Sequence, residues 1–306
     1  MNIPALLFPE IALIAIGWAL YRSGKFSDAF WSGAERLVYF VLFPALLFGA
    51  LVRNPVSIGA SAPMLLAALG AFAGGVAAGF LARPALSASE LRFASGVQCA
   101  FRFNSYIALA LALRLGGDSG LSLAALLVGV FVPPGNVAAV FALARHSGAG
   151  VARELVRNPL VIATVSGLTA KALGLHLPEP VDATLTRLGQ AALGLGLILV
   201  GAGLRLERGA AADAAATRDG VLLAAWFGAT KLLLMPLVAL ALAHLLALDP
   251  LARVIVVLFS AVPPAPAAYV LATRMGGDGR FVALLLTAYI LASLATLPLW
   301  LWLAGP

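Results

Sequence analysis

The sequence is poor in the residues that most enzymes use for chemistry. Its single cysteine, Cys99, excludes an internal disulfide and a cysteine-based metal cage. The three histidines are scattered, and no HExxH, Gly-x-Ser-x-Gly or paired acidic motif occurs. Charged residues make up only 11% of the chain. These absences argue against an enzyme, so we predict no catalytic residues, no metal site and no cofactor.

Apolar residues dominate instead: they make up 62% of the 306 residues and give a mean hydropathy of +1.02. No water-soluble domain can bury that much apolar surface, which indicates an all-α integral membrane protein. Charged or turn-forming clusters separate ten apolar runs, each about long enough to span a bilayer. The predicted spans one to ten are residues 3–21, 33–52, 62–82, 91–113, 121–144, 158–175, 184–204, 220–247, 252–273 and 281–304.

Basic residues are distributed unevenly between the loops. Thirteen lie in or near the loops that follow odd-numbered spans, whereas only Arg53, Arg114, Arg187 and Arg253 lie in those that follow even-numbered spans. Because cytoplasmic loops are enriched in Lys and Arg, we predict the odd loops in the cytoplasm and both termini outside it. This topology explains the net charge of +7 without nucleic acid. We expect a multi-pass protein of the cell membrane, specifically a bacterial inner membrane.

A short motif occurs twice. Residues 114–118, Arg-Leu-Gly-Gly-Asp, end span four, and residues 274–278, Arg-Met-Gly-Gly-Asp, end span nine, 160 residues later. Two copies of five spans would enter the membrane from opposite sides, and such inverted repeats are typical of transporters. The predicted division is a first five-helix repeat at 1–146, a cytoplasmic linker at 147–157 and a second, inverted five-helix repeat at 158–306.

Spans four and nine are predicted to be interrupted near the middle of the membrane. In span nine, residues 262–266 hold three prolines in four positions, which remove backbone donors and prevent a continuous helix. The corresponding residues of span four, 102–106, contain no proline, so that break rests on adjacent polar residues and the repeat. Second half-helices that begin near Ser105 and Ala267 would direct free amide donors and positive dipole ends at one place, where an anion is favoured.

These features resemble the auxin efflux carrier family, ten-span carriers that include plant auxin exporters and bacterial permeases for malonate- and malate-type acids. The resemblance rests on Asn104-Ser105-Tyr106, Pro133 and Asn136, Arg157-Asn158-Pro159, Pro263-Pro264-Ala265, Tyr269 and Gly276-Gly277-Asp278. It implies a bacterial permease-type member related in fold to sodium/bile-acid symporters, in which crossed, broken helices form the substrate site and a core moves like an elevator. Arg102 and Phe103 replace the first two residues of the plant Asn-Pro-Asn-Thr-Tyr crossover, and Ala267 stands where bacterial relatives often carry Asn.

Two cations are expected deep in the membrane. Arg102 lies near the centre of span four and Lys231 about eleven residues into span eight, whereas the acids inside the predicted spans are Glu10 and, at the start of span two, Glu35. A charge at that depth costs from about 3 to more than 10 kcal/mol, so it faces the bundle interior and has a partner. A substrate carboxylate would suit Arg102 because the planar guanidinium binds carboxylates bidentately. The alternatives are that Arg102 binds backbone carbonyls at the break and that Lys231 extends towards an interface.

The remaining site candidates are polar or helix-breaking residues near the two interruptions. Asn104 either binds substrate or satisfies backbone groups freed by the break, and Asn136 either binds substrate or compensates for the kink in span five. Gln98 and Ser260 are weaker candidates, because isolated polar residues in spans often only bond a neighbouring helix. The predicted substrate-binding set is Arg102, Asn104, Ser105, Tyr106, Asn136, Lys231, Pro263, Pro264 and Ala267.

The sequence therefore predicts a secondary transporter, a permease or efflux carrier, that moves a small organic anion such as a mono- or dicarboxylate by alternating access. The alternatives are a sodium-coupled bile-acid-type symporter, a channel and an intramembrane enzyme. The predicted partners are the organic anion, a coupling H⁺ or Na⁺ and the lipid bilayer. The coupling ion and the oligomeric state, with a homodimer among the options, do not follow from the sequence.

Overall fold

The computed structural model describes residues 3–53, 58–86, 89–143, 159–204 and 218–305, and within these ranges every regular element is a helix. The predicted linker 147–157 and residues 157–158 of the family motif lie outside the described residues. The helices are α1 (Ile3–Arg22), α2 (Asp28–Leu37), α3 (Phe43–Arg53), α4 (Ile58–Leu86), α5 (Glu90–Gly96), α6 (Ser105–Leu143), α7 (Pro159–Ala172), α8 (Glu179–Ala202), α9 (Arg218–Ala229), α10 (Met235–Leu245), α11 (Pro250–Ala261), α12 (Ala267–Arg274) and α13 (Gly279–Ala304).

Several helix starts follow directly from local sequence. Ser27 caps α2 by accepting a hydrogen bond from the Phe30 amide, and Asp278 caps α13 by accepting one from the Phe281 amide. Asp249 caps α11 in the same way, and the next residue is Pro250, whose missing N–H costs nothing in the first turn of a helix. These caps place the start of each helix at the short polar connection that the sequence predicts.

Two of the long helices contain a single wide turn. Val38–Leu42 forms a π-helical turn between α2 and α3, and Thr230–Leu234 forms one between α9 and α10. Both stretches therefore run on as one helix, Asp28–Arg53 and Arg218–Leu245. π-helical turns are rare and occur frequently at functional sites. The second of them carries Lys231, one of the predicted site residues.

Among the described residues, six helical stretches are long and apolar enough to cross a membrane, judged by length and composition. They are Asp28–Arg53, Ser61–Leu86, Glu90–Leu143, Glu179–Ala202, Arg218–Leu245 and Gly279–Ala304. The third has 54 residues, including the non-helical residues 101–104. Its part Ser105–Leu143 alone has 39 residues, about 60 Å of helix, whereas a hydrocarbon core is about 30 Å thick. The third stretch is therefore too long for a single crossing. Its backbone is non-helical at Gly117, where φ is 56°. The count of ten spans remains a prediction.

The interruptions predicted in spans four and nine are present. Span four begins as α5, tightens into a 3₁₀ turn at Val97–Ala100 and is non-helical until α6 begins at Ser105. Span nine is helical as α11, leaves helical geometry after Ala261 and resumes as α12 at Ala267. The first break forms without proline, and the backbone leaves helical geometry there at Phe101, with φ of −134°.

The residues fall into two compact units, each drawn from three stretches of chain. The first unit comprises Met1–Ser61, Ser105–Pro133 and Gly150–Gly203, and the second comprises Ala62–Asn104, Pro134–Ala149 and Leu204–Pro306. Within the first unit α1 packs against α8, and α3 packs against α7 and α8. Within the second unit α11 packs against α10 and α13. Each unit takes segments from both predicted repeats, and the repeat boundaries remain a prediction.

Candidate functional site

The two interruptions meet inside the second compact unit. The amide N of Asn104 donates a hydrogen bond of 2.8 Å to the carbonyl O of Pro263. The rings of Phe103 and Phe259 lie beside this bond with centroids 4.2 Å apart. Asn104 and Pro263 are buried, so a backbone donor freed by one break is satisfied by an acceptor freed by the other.

Arg102 lies on the first interruption and is held by two side-chain amides. Its Nη1 donates to Oε1 of Gln98 and its Nη2 to Oδ1 of Asn136, both at 2.9 Å. Gln98 precedes Arg102 by one helical turn, whereas Asn136 lies on the last part of α6, which belongs to the same unit. Amide oxygens orient a guanidinium without cancelling its charge. The arrangement can therefore present a fixed, half-buried positive group.

Lys231 supplies a second basic side chain in this unit. Its side chain is completely buried, and Nζ donates a hydrogen bond of 2.8 Å to the carbonyl O of Ser260. Ser260 lies in the last turn of α11, where backbone carbonyls lack helical partners and carry the negative end of the helix dipole. Lys231 thus stabilises the end of the half-helix at the second break, rather than extending to a membrane interface. The Sδ atom of Met235 lies 3.9 Å from Nζ.

The other predicted residues of span nine act through the backbone. Pro263 and Pro264 are buried and lack backbone N–H groups, which prevents the helix from closing across them. Ala267 is exposed and is the first residue of α12. The first-turn amides of Ala268 and Tyr269 donate to the carbonyls of Ala265 and Pro266, and the start of a helix carries a partial positive charge. The two prolines and Ala267 therefore shape the second interruption and place a helix start beside it.

Ser105 and Tyr106 belong to the first compact unit, not to the second. Ser105 is the first residue of α6. The Tyr106 ring packs against that of Phe43, with centroids 4.6 Å apart, and against Gly196, where an added Cβ would collide with the ring. Tyr106 therefore has a packing role within its own unit. Among the predicted site residues of the second unit, hydrogen bonds join Arg102 to Asn136 and Asn104 to Pro263.

Gln98 is a residue of this cluster that the predicted site omitted. Its Nε2 donates to the carbonyl oxygens of Ser95 and Ala268, both at 3.1 Å, while its Oε1 accepts from Arg102. The available signal was the spacing of four residues between Gln98 and Arg102, which places two side chains on one face of a helix. Nothing in the sequence indicated the bond to Ala268, because 170 residues separate the two.

The comparison with known families decides the class of protein. A family model described as membrane transport protein matches residues 142–301, slightly more than half of the chain. The chain belongs to this family. The match confirms the resemblance to auxin efflux carriers and makes the chain a multi-pass membrane transport protein rather than an enzyme.

The matched range of this transport family includes the second interruption and Lys231, whereas the first interruption with Gln98 and Arg102 precedes it. A search of curated proteins finds none that matches the chain. The family match therefore does not extend to the residues of the first interruption.

Proposed function

We propose that this membrane transport protein is a secondary carrier that moves a small organic anion, such as a mono- or dicarboxylate, by alternating access. The observation that carries the proposal is the guanidinium of Arg102, held by neutral amide oxygens at the interruption of span four. A planar guanidinium binds a carboxylate through two parallel hydrogen bonds, which gives both affinity and orientation. A cation kept at this depth is costly, so it is expected to serve the substrate.

Two further features of the second unit support an anionic substrate. Lys231 places a buried basic group at the end of α11, and α12 begins beside the second interruption with its positive dipole end. The non-helical backbone at residues 101–104 and 262–266 supports a binding site in the same place. At membrane depth, such backbone is tolerated only inside protein or beside a watery cavity.

The substitution Arg102→Ala tests the proposal. In proteoliposomes loaded with buffer, we expect uptake of a radiolabelled dicarboxylate to fall by at least about a hundredfold, because the loss of a charge-assisted bidentate contact costs about 3 kcal/mol or more. Arg187→Ala is the matched control, since Arg187 is an exposed arginine of the other unit. Undiminished transport by a folded Arg102→Ala protein would remove Arg102 from the site.

The same vesicles separate a carrier from a channel and test the coupling ion. A carrier shows saturable uptake and exchanges internal for external substrate, whereas a channel shows flux that does not saturate. Replacing Na⁺ by choline, and separately collapsing a pH gradient, shows which ion drives uptake. Transport restricted to neutral or cationic compounds would contradict the proposed anion carrier.

A further inference from the structure

Gln98 is bonded to Arg102 twice and to span nine once. Its backbone carbonyl accepts a hydrogen bond from the Arg102 amide at 2.9 Å, and its Oε1 accepts one from Arg102 Nη1. Its Nε2 donates to the carbonyl of Ala268, in the first turn of α12, and to that of Ser95. The side chain is completely buried within the second unit. Gln98 therefore lies between the guanidinium and the helix that follows the second interruption.

The chemistry of this position requires a primary amide. A guanidinium only donates hydrogen bonds and a backbone carbonyl only accepts them, so the side chain between them must offer both an acceptor and donors. Glutamine supplies one acceptor and two N–H donors at the required length. Glutamate would face the carbonyls of Ser95 and Ala268 with an acceptor, and an aliphatic side chain would leave all three groups without this partner.

We propose that Gln98 is a positioning residue, which orients the Arg102 guanidinium for the substrate carboxylate and ties that orientation to the start of α12. This inference rests on the proposed anion carrier. A shift of α12 relative to the 3₁₀ turn at Val97–Ala100 changes the hydrogen bonding of Gln98, and with it the direction in which Arg102 presents its donors. Substrate affinity is thereby linked to the geometry of the second interruption.

The test compares two substitutions at Gln98 in full-length protein reconstituted in proteoliposomes. Gln98→Met has similar length without hydrogen bonds, and we expect its KM for a radiolabelled dicarboxylate to rise about tenfold while the maximal rate changes less than about twofold. Gln98→Glu places a carboxylate on the guanidinium, and we expect a larger rise in KM, because that carboxylate competes with the substrate. Gln190→Met, at the other glutamine of the chain, which is exposed on α8, is the control and should leave KM unchanged.

A double-mutant cycle separates positioning from a merely structural role. If Gln98 acts through Arg102, Gln98→Met should change KM by less than about twofold in an Arg102→Lys background, since the oriented guanidinium is already absent. Equal effects in both backgrounds would overturn the positioning role, as would a Gln98→Glu protein that binds the dicarboxylate as tightly as the wild type. Elution as a single species in detergent checks that each variant is folded.

Failure of this inference is distinguishable from failure of the proposed function. A wild-type protein that neither binds nor transports any mono- or dicarboxylate overturns the anion carrier and the role of Gln98 with it. A wild-type protein that transports a dicarboxylate, together with additive effects of Gln98→Met and Arg102→Lys, overturns the role of Gln98 alone.

Discussion

Single residues show how this protein accommodates charge where few acids are available. Arg102 is held by the oxygens of two side-chain amides, and Lys231 by a backbone carbonyl. Neutral oxygens satisfy the donors of a cation but leave its net charge available to a ligand. In the proposed anion site, the two amide oxygens fix the direction of the guanidinium.

In the first compact unit, the buried acid Glu10 has a charged partner instead of a neutral one. Glu10 accepts a hydrogen bond of 2.6 Å from Nε of Arg114, and the two side chains are 10% and 41% exposed. Oε2 of Glu10 is buried and has no hydrogen-bond partner within the described residues. The acid is thus the member of the pair that depends on its partner for stability.

That asymmetry yields a prediction for the two single substitutions. We expect Arg114→Leu to reduce the free energy of unfolding by about 2 kcal/mol or more, because it leaves a buried carboxylate without its cation. Glu10→Gln should cost less than about 1 kcal/mol, because the half-exposed Arg114 remains solvated. The measurement is the unfolding transition of each variant in the same detergent.

Arg83→Leu is the matched control for the loss of an arginine. Arg83 pairs with Glu90 at 2.9 Å, but both side chains are substantially exposed, at 43% and 63%. Its replacement should change stability by less than about 0.5 kcal/mol. If Glu10→Gln proved as costly as Arg114→Leu, burial of the acid would not be the cause of the asymmetry.

At the scale of elements, glycines allow α1 and α8 to pack with their backbones in contact. A Cβ added to Gly17 would overlap the carbonyl of Ile198, and one added to Gly201 would overlap the carbonyl of Ile14. Small residues are common at such helix contacts in membranes, where close backbone approach replaces the hydrophobic driving force. This contact forms part of the core of the first unit.

Gly201→Ala should therefore destabilise the protein by about 1–3 kcal/mol, because the overlap is with backbone atoms that cannot rotate away. Gly194→Ala, in the same helix, should leave stability unchanged or raise it by up to about 1 kcal/mol, since a Cβ there meets no atom within 4 Å. Thermal unfolding of both variants in detergent checks the difference. Equal midpoints would show that α1 and α8 do not depend on close backbone contact.

In the whole molecule, both helix interruptions occur in the second compact unit. Residues 62–104 and 204–306 contribute most of this unit, so its site residues come from distant parts of the chain. A ligand that binds only the folded protein stabilises it in proportion to occupancy. Binding at this site is therefore measurable without knowing the direction of transport.

We expect small organic anions to raise the unfolding temperature of the intact protein in detergent. A ligand present at about a hundred times its Kd stabilises the folded state by about 2.7 kcal/mol. A panel of mono- and dicarboxylates, with uncharged amides of the same carbon skeletons as controls, tests this. Stabilisation by the amides alone would contradict an anion site, and Arg102→Ala should abolish the response to the acids.

Much of the local structure was accessible from the sequence because it depends on neighbouring residues. Three prolines within residues 263–266 remove backbone donors where the helix is interrupted, and Asp249 and Asp278 cap the helices that follow them. The break in span four was inferred from adjacent polar residues and from the repeat of span nine, and α6 begins at the predicted Ser105. The number of spans is harder to predict, because Glu90–Leu143 is a single stretch that is too long for one membrane crossing.

The sequence by itself determined the membrane environment, the helical class, the two interruptions and the presence of two basic residues within apolar segments. Only the tertiary structure decided their partners: Asn136 and Gln98 for Arg102, and the Ser260 carbonyl for Lys231. The physical reason is that lipid-facing and protein-facing surfaces of membrane helices are both apolar. Hydrophobic periodicity consequently indicates that a residue is deep, whereas only packing shows what lies beside it.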